Sequence, residues 1–293
     1  MNIEPTPHSP LFSRTQGSGP TVVCLHSSSG SHAQWRGLTD ALAGRCQTIA
    51  PDLFGHGRSP EWPMGYANTL HVDAHGVSAL MRAAAGSLAT RGIHLVGHSY
   101  GGAVAMQIAL HHPRWVRSLT LYEPVPFGVM RAMAPADAAL GEIEDIAHSV
   151  EAMVNRNELE GAARIFVGYW GGPSAWEALG PAQRAAVAAR IATVPRHFDA
   201  LFRANWNPRV LGSLNMPILL MRGSKSRLPA RRVAELLGHA LPHLQRVEVA
   251  GAGHLGPMTH EREVTARMLA FLEANAGLPQ AAQATREDLS VLV

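Results

Sequence analysis

Sulfur is scarce in this chain: only Cys24 and Cys46 occur among 293 residues. Two thiols exclude a disulfide-stapled scaffold, and neither has a Cys or His at zinc-ligand spacing, so both read as reduced. Charge is also sparse, at 16% of residues, with 25 basic against 22 acidic side chains and a net of +3. The pI of 9.2 reflects that small basic excess, spread along the chain rather than gathered into a phosphate-binding stripe, which argues against nucleic acid as a partner. No apolar run approaches the roughly 20 residues needed to span a bilayer. Residues 1–12 show neither the basic start nor the apolar core of a secretory signal. The expectation is a cytoplasmic protein with no membrane or nucleic-acid partner. Sixteen histidines are present, yet no His/Cys/Asp group has metal-ligand spacing. What is abundant is apolar: 46% of the chain, enough for one large domain with an insertion or for two small ones.

The most informative stretch is Gly97-His98-Ser99-Tyr100-Gly101, followed at once by Gly102. Residues 92–96 before it read as a buried strand, and residues 102–110 after it as a helix ended by Pro113. A serine between glycines at a strand-to-helix junction is a nucleophile elbow. Its turn is too tight for neighbouring Cβ atoms. The helix that follows aims backbone N–H groups, and the positive end of its dipole, at negative charge developing nearby.

The rest of the chain alternates in the same way. Residues 1–19 read as a loose lead-in or a short edge strand. Strands are predicted over 21–25, 46–50, 118–122, 217–223 and 245–250, and helices over 32–43, 69–85, 231–241 and 261–275. The segment between 124 and 209 is different: Ala-rich, helical, interrupted by Pro and Gly, and carrying several large aromatics. The fold class is therefore α/β, a mostly parallel central sheet with helices on both faces and an inserted helical cap. The core takes 1–123 and 210–275, the cap 124–209, and a polar tail 276–293. Ligands of such sheets lie at the carboxyl ends of the strands. His26, Ser99, Glu123 and His254 all fall just past strand ends.

These landmarks, with Asp52-Leu53-Phe54-Gly55-His56-Gly57-Arg58-Ser59 and Gly251-Ala252-Gly253-His254, make the chain resemble an α/β-hydrolase from about residue 21 to 275. The resemblance implies a triad in the order Ser, acid, His, with Ser99 as nucleophile and His254 as base. It implies an oxyanion hole from the backbone N–H groups of Ser28 and Tyr100. It implies hydrolysis of a small-molecule substrate with no metal or organic cofactor. Two positions depart from the family. Ser27 stands where the family has Gly, which removes no donor because the donor is backbone. Ser226 stands where the family commonly has its Asp, in Gly223-Ser224-Lys225-Ser226, and a serine carries no charge. Glu123 is the acid assigned instead, since some members place the acid at that strand end; a Ser–His dyad without an acid is the alternative. His26, His56 and His98 read as structural, and Arg58 and Ser59 as anchors of their loop.

A serine elbow implies ester, thioester, lactone, amide or carbon–carbon bond hydrolysis, and the aromatic, charge-poor cap implies an apolar substrate of small to medium size. The leading reading is an esterase. One alternative is a carbon–carbon bond hydrolase of diketone-like aromatic breakdown products, for which Arg164, Arg190, Arg196 or Arg203 would hold a carboxylate; these four otherwise read as a solvated face. The other is a ligand-binding protein of low turnover on the same scaffold.

Overall fold

A computed structural model describes residues 11–63, 69–85 and 92–276; the start of the lead-in and the tail beyond 276 lie outside them. Seven strands form one sheet in the order β1-β3-β2-β4-β5-β6-β7. They are β1 (Ser13–Gln16), β2 (Thr21–Leu25), β3 (Gln47–Pro51), β4 (Ile93–His98), β5 (Val116–Tyr122), β6 (Ile218–Gly223) and β7 (Gln245–Val249). Only β1 runs antiparallel, on β3 at one edge; every other pairing is parallel. The lead-in thus supplies the short edge strand.

Alternation along the central strands feeds two separate cores, because successive side chains leave a strand on opposite faces. Val23, Leu25, Leu95, Leu119, Leu121, Ile218 and Leu220 enter one core. Val22, Cys24, Val96, Tyr122, Leu219 and Met221 enter the other. The second core is closed by α1 (Arg36–Leu42) and by a long C-terminal helix through Val264, Met268 and Phe271. Cys24 and Cys46 are both free and buried there, and burial pushes both thiols up, so they stay protonated and inert. The stretch before α1 is a 3₁₀ turn, His32–Trp35, rather than part of one helix over 32–43.

The first core is covered by α2 (Thr69–Ala85) and α3 (Tyr100–His111), and then by the insert. Between β5 and β6 the regular structure of the described chain is all helical, joined by turns and loops: α4 (Gly128–Met133), α5 (Ala138–Asn155), α6 (Leu159–Gly171), α7 (Pro181–Arg190), α8 (Val194–Arg203) and α9 (Pro208–Leu211). After β6 come α10 (Leu228–Ala240), α11 (Gly256–Thr259) and α12 (Glu261–Ala276). α10 starts three residues earlier than the sequence pattern indicates. Its Pro229 sits in the first turn, where a missing N–H costs nothing.

A helix cap in the insert is also tied to α10 of the core. Asp137 caps α5 by accepting the Ala139 N–H at 3.0 Å, and its other oxygen takes the Arg232 Nε–H of α10 at 2.6 Å. Losing a cap of this kind costs about 1 kcal/mol, and the half-exposed ion pair adds a fraction more. Asp137→Ala is expected to lower the melting temperature by about 2–5 °C in a thermal scan. An unchanged midpoint would mean that the cap and ion pair carry no stability.

Candidate active site

Ser99 follows β4 directly and precedes α3. Its φ of +54° and ψ of −120° lie outside the regions a serine ordinarily occupies, so the backbone is held there by its surroundings. The Ser99 N–H donates to the Tyr122 carbonyl at 3.1 Å, tying the elbow to β5. Space makes the flanking glycines necessary. A Cβ on Gly97 would lie 2.6 Å from the Gly101 carbonyl oxygen, and one on Gly101 would lie 2.4 Å from that of His26.

Three side chains from three loops meet here. Ser99 Oγ–H donates to His254 Nε2 at 2.9 Å, and His254 Nδ1–H donates to Glu123 Oε2 at 2.8 Å. Glu123 is fully buried and His254 is 3% exposed. The structure brings together all three residues singled out from the sequence. Glu123 closes β5 with φ +40°, and its N–H donates to the Met221 carbonyl at 2.9 Å. Its second oxygen, Oε1, accepts the Gly223 N–H at 2.7 Å and the Ser226 hydroxyl. Ser226, uncharged at the position where the resemblance expects Asp, is therefore a donor to the carboxylate that faces His254. The contact is possible because β5 and β6 are neighbours, with Tyr122 paired to Met221. Sequence reasoning missed this role; a hydroxyl replacing one carboxylate beside a second carboxylate is the signal that points to it.

His254 is gripped from two further sides. His98 Nε2–H donates to the His254 carbonyl at 2.8 Å, and burial holds the His98 pKa well below the ordinary value. The Trp170 ring of α6 stacks on the His254 ring at 3.9 Å.

The loop after β2 is fastened on both sides of the Ser28 amide. Ser27 N–H and Oγ–H both donate to Gln34 Oε1, at 3.1 and 3.0 Å. Ser29 N–H donates to His56 Nε2 at 3.1 Å, and Gly30 N–H to the Ser27 carbonyl at 2.9 Å. Ser28 N–H makes no hydrogen bond to a described residue, and Ser28 lines the same cavity as Ser99 and His254. Tyr100 follows Ser99 as the first residue of α3.

The supporting histidines are neutral. Burial lowers His26 to about 4 and His56 to about 3. His26 Nδ1–H donates to the Ser27 carbonyl at 2.8 Å, which leaves Nε2 to accept the Leu53 N–H at 3.0 Å. His56 repeats the pattern, with Nδ1–H on the Phe54 carbonyl. Burial raises the Asp52 carboxyl, but the N–H groups of His32 and Arg58 outweigh it and leave the pKa below the ordinary value. Ser59 Oγ–H holds the Asp52 carbonyl, so Arg58 and Ser59 do anchor this loop. His197 of α8, which the sequence did not single out, stacks on Tyr100 at 3.6 Å and hydrogen-bonds Ser28 Oγ through Nδ1 at 2.7 Å. Asp73 of α2 accepts the Tyr100 hydroxyl at 2.9 Å and the Phe54 N–H at 3.0 Å.

A cavity of about 390 Å³ opens on Ser99 and His254. One wall is apolar, with Phe166, Val167 and Trp170 of α6 and Leu179 and Val187 beyond it; the other carries Ser28, Gln34 and Arg190. The four insert arginines do not behave as a set. Arg164 and Arg203 form exposed ion pairs with Glu177 and Asp199, as a solvated face requires. Arg190, at the end of α7, is instead partly buried in the cavity wall, and this corrects the reading of it as solvated.

Among the described residues no helix is long and apolar enough to cross a membrane. The protein family described as alpha/beta hydrolase fold matches residues 20–261. A pimeloyl-[acyl-carrier protein] methyl ester esterase of Chromobacterium violaceum is 28% identical over 268 residues, 91% of this chain and 99% of that protein. An uncharacterised protein of Mycobacterium tuberculosis is 36% identical over 108 residues, and there the alignment spans only 30% of the relative's length. Among solved structures, a hydrolase of Pseudomonas aeruginosa superposes with TM-score 0.72 at 23% identity, covering 89% of this chain and 93% of its own. A thermophilic esterase of Thermogutta terrifontis gives 0.70 at 22%, covering 91% and 94%.

Proposed function

Within the alpha/beta hydrolase fold family, to which this chain belongs, we propose that it works as a serine esterase on a small to medium, largely apolar ester. The observation that carries this reading is the buried relay from Ser99 through His254 to Glu123, at 2.9 and 2.8 Å. Both links lie within the reach that proton transfer needs.

In this mechanism Ser99 Oγ attacks the ester carbonyl carbon as its proton passes to His254 Nε2. Glu123 keeps the proton of His254 on Nδ1 and offsets the imidazolium charge. The tetrahedral oxyanion is held by the N–H groups of Ser28 and Tyr100, each worth about 3–4 kcal/mol in the transition state. His254 then protonates the leaving alkoxide, and water, activated by the same imidazole, releases the acid. The fastened loop supports the role of Ser28: its neighbours' amides are engaged, while its own is not.

The test is intact-mass analysis after incubation with a fluorophosphonate. One adduct on the wild type and none on Ser99→Ala is expected, alongside hydrolysis of p-nitrophenyl esters by the wild type alone. An unlabelled and inactive wild type would replace this reading with that of a binding protein.

A further inference from the structure

The polar wall of the cavity holds two donors without acceptors. Arg190 Nε is shielded from solvent and has no hydrogen-bond partner among the described residues, and its guanidinium makes no ion pair with them. Its electrostatic neighbour Asp52 is already spent: Oδ1 accepts from His32 and Oδ2 from the Arg58 N–H. Gln34 is the second. Its Oε1 accepts both the N–H and the hydroxyl of Ser27, which fixes the amide orientation and leaves Nε2 as the free end. That Nε2 is also buried without a partner. Buried donors are ordinarily satisfied, and here two of them share one cavity with Ser99 and His254.

We propose that the substrate carries a second, unreacted carboxylate, which Arg190 and Gln34 hold while its ester faces Ser99. The guanidinium fork matches a planar carboxylate, and the amide N–H₂ adds a neutral donor. A monoanion fits better than a phosphate, because Arg190 is the one Lys or Arg among the residues lining the cavity. The apolar wall of Phe166, Val167 and Trp170 receives the chain between the two groups. The substrate class is thus a monoester of a dicarboxylic acid, and this inference rests on the reading of Ser99 as nucleophile.

The test compares monomethyl esters of the succinate-to-suberate series with the methyl esters of the matching monocarboxylic acids. The wild type is expected to favour the acidic ester by about 10- to 100-fold in kcat/KM at one chain length or more, the range for a hydrogen bond to a charged group. The preference should lie mainly in KM. Arg190→Gln is expected to bring the ratio to within about twofold of unity, and Arg190→Lys, which keeps charge but loses the fork, to leave it in between. A purely structural arginine would not move this ratio. Calorimetry with monomethyl adipate on Ser99→Ala, with and without Arg190→Gln, gives a second readout, in which only the protein that keeps Arg190 binds. A wild type that labels at Ser99 yet prefers the neutral ester at every length would overturn the proposal. Should Ser99 prove inert to the fluorophosphonate, the parent reading falls, and the calorimetric comparison still decides whether Arg190 holds an anion.

Discussion

Glu123→Gln is expected to lower turnover about ten-thousand-fold while the protein still folds. The size is that of losing the acid's charge in a Ser-His-acid relay, and the local geometry explains why an isostere fails. Two donors, the Gly223 N–H and the Ser226 hydroxyl, point at Oε1. The amide oxygen of Gln must occupy that place, so its N–H₂ faces His254 Nδ1. His254 then has to accept there and carry its proton on Nε2, where it cannot take the proton of Ser99. The check is kcat on a p-nitrophenyl ester, with far-ultraviolet circular dichroism as the control for folding. A loss of less than tenfold would show that the carboxylate is not the triad acid. A double change probes the same geometry: Glu123→Ser with Ser226→Asp moves the charge to β6 and is expected to recover at least tenfold over Glu123→Gln.

The second large effect is on stability. Asp73 is fully buried, and burial pushes its carboxyl up to about 7 from an ordinary value of 3.8, although the Tyr100 hydroxyl and Phe54 N–H pull it partly back. Between those two values the unfolded chain has released the proton and the folded one retains it. The native state binds more protons there, so stability falls as pH rises from about 4 to 7, and the full penalty, about 4 kcal/mol, applies above 7. Asp73→Asn removes the titration. Its amide oxygen still accepts the Phe54 N–H, and its N–H₂ can face the Tyr100 oxygen. Urea unfolding at pH 5 and pH 8 is expected to show wild-type stability dropping by about 2–3 kcal/mol more than that of the variant. Parallel drops in the two proteins would mean that Asp73 is already ionised at pH 5.

The central strands were legible because they are buried on both faces and mostly apolar, as in the stretches 22–25 and 218–221. The elbow was legible because its glycines, and the serine between them, have few substitutes in so tight a turn. Glu123 could be found because it ends a strand. Ser226 was harder. It reads as a deletion of function until β5 and β6 are set side by side, and the partner it serves lies 103 residues earlier in the chain. Arg190, Gln34 and His197 carry no local pattern at all. Arg190 looks like Arg164 in sequence, and only the packing of α7 over the cavity separates a buried guanidinium from a solvated one. His197 lies in an amphipathic helix like any core residue, and its contact with Ser28 joins segments 169 residues apart. Motifs record what the backbone must do at a turn; they do not record which side chains a distant helix lays across it.

Trp170 belongs to the insert, yet it stacks on His254, whose place comes from the loop after β7. This helix therefore touches two features of the site at once. A substitution in α6 that reshapes the apolar wall also disturbs the plane against which the imidazole rests. Exchanging the insert for that of a relative would transplant a new substrate range together with a new setting of the proton carrier. Under the proposed mechanism, one side chain of the insert, Trp170, bears on both the shape of the apolar wall and the setting of the imidazole.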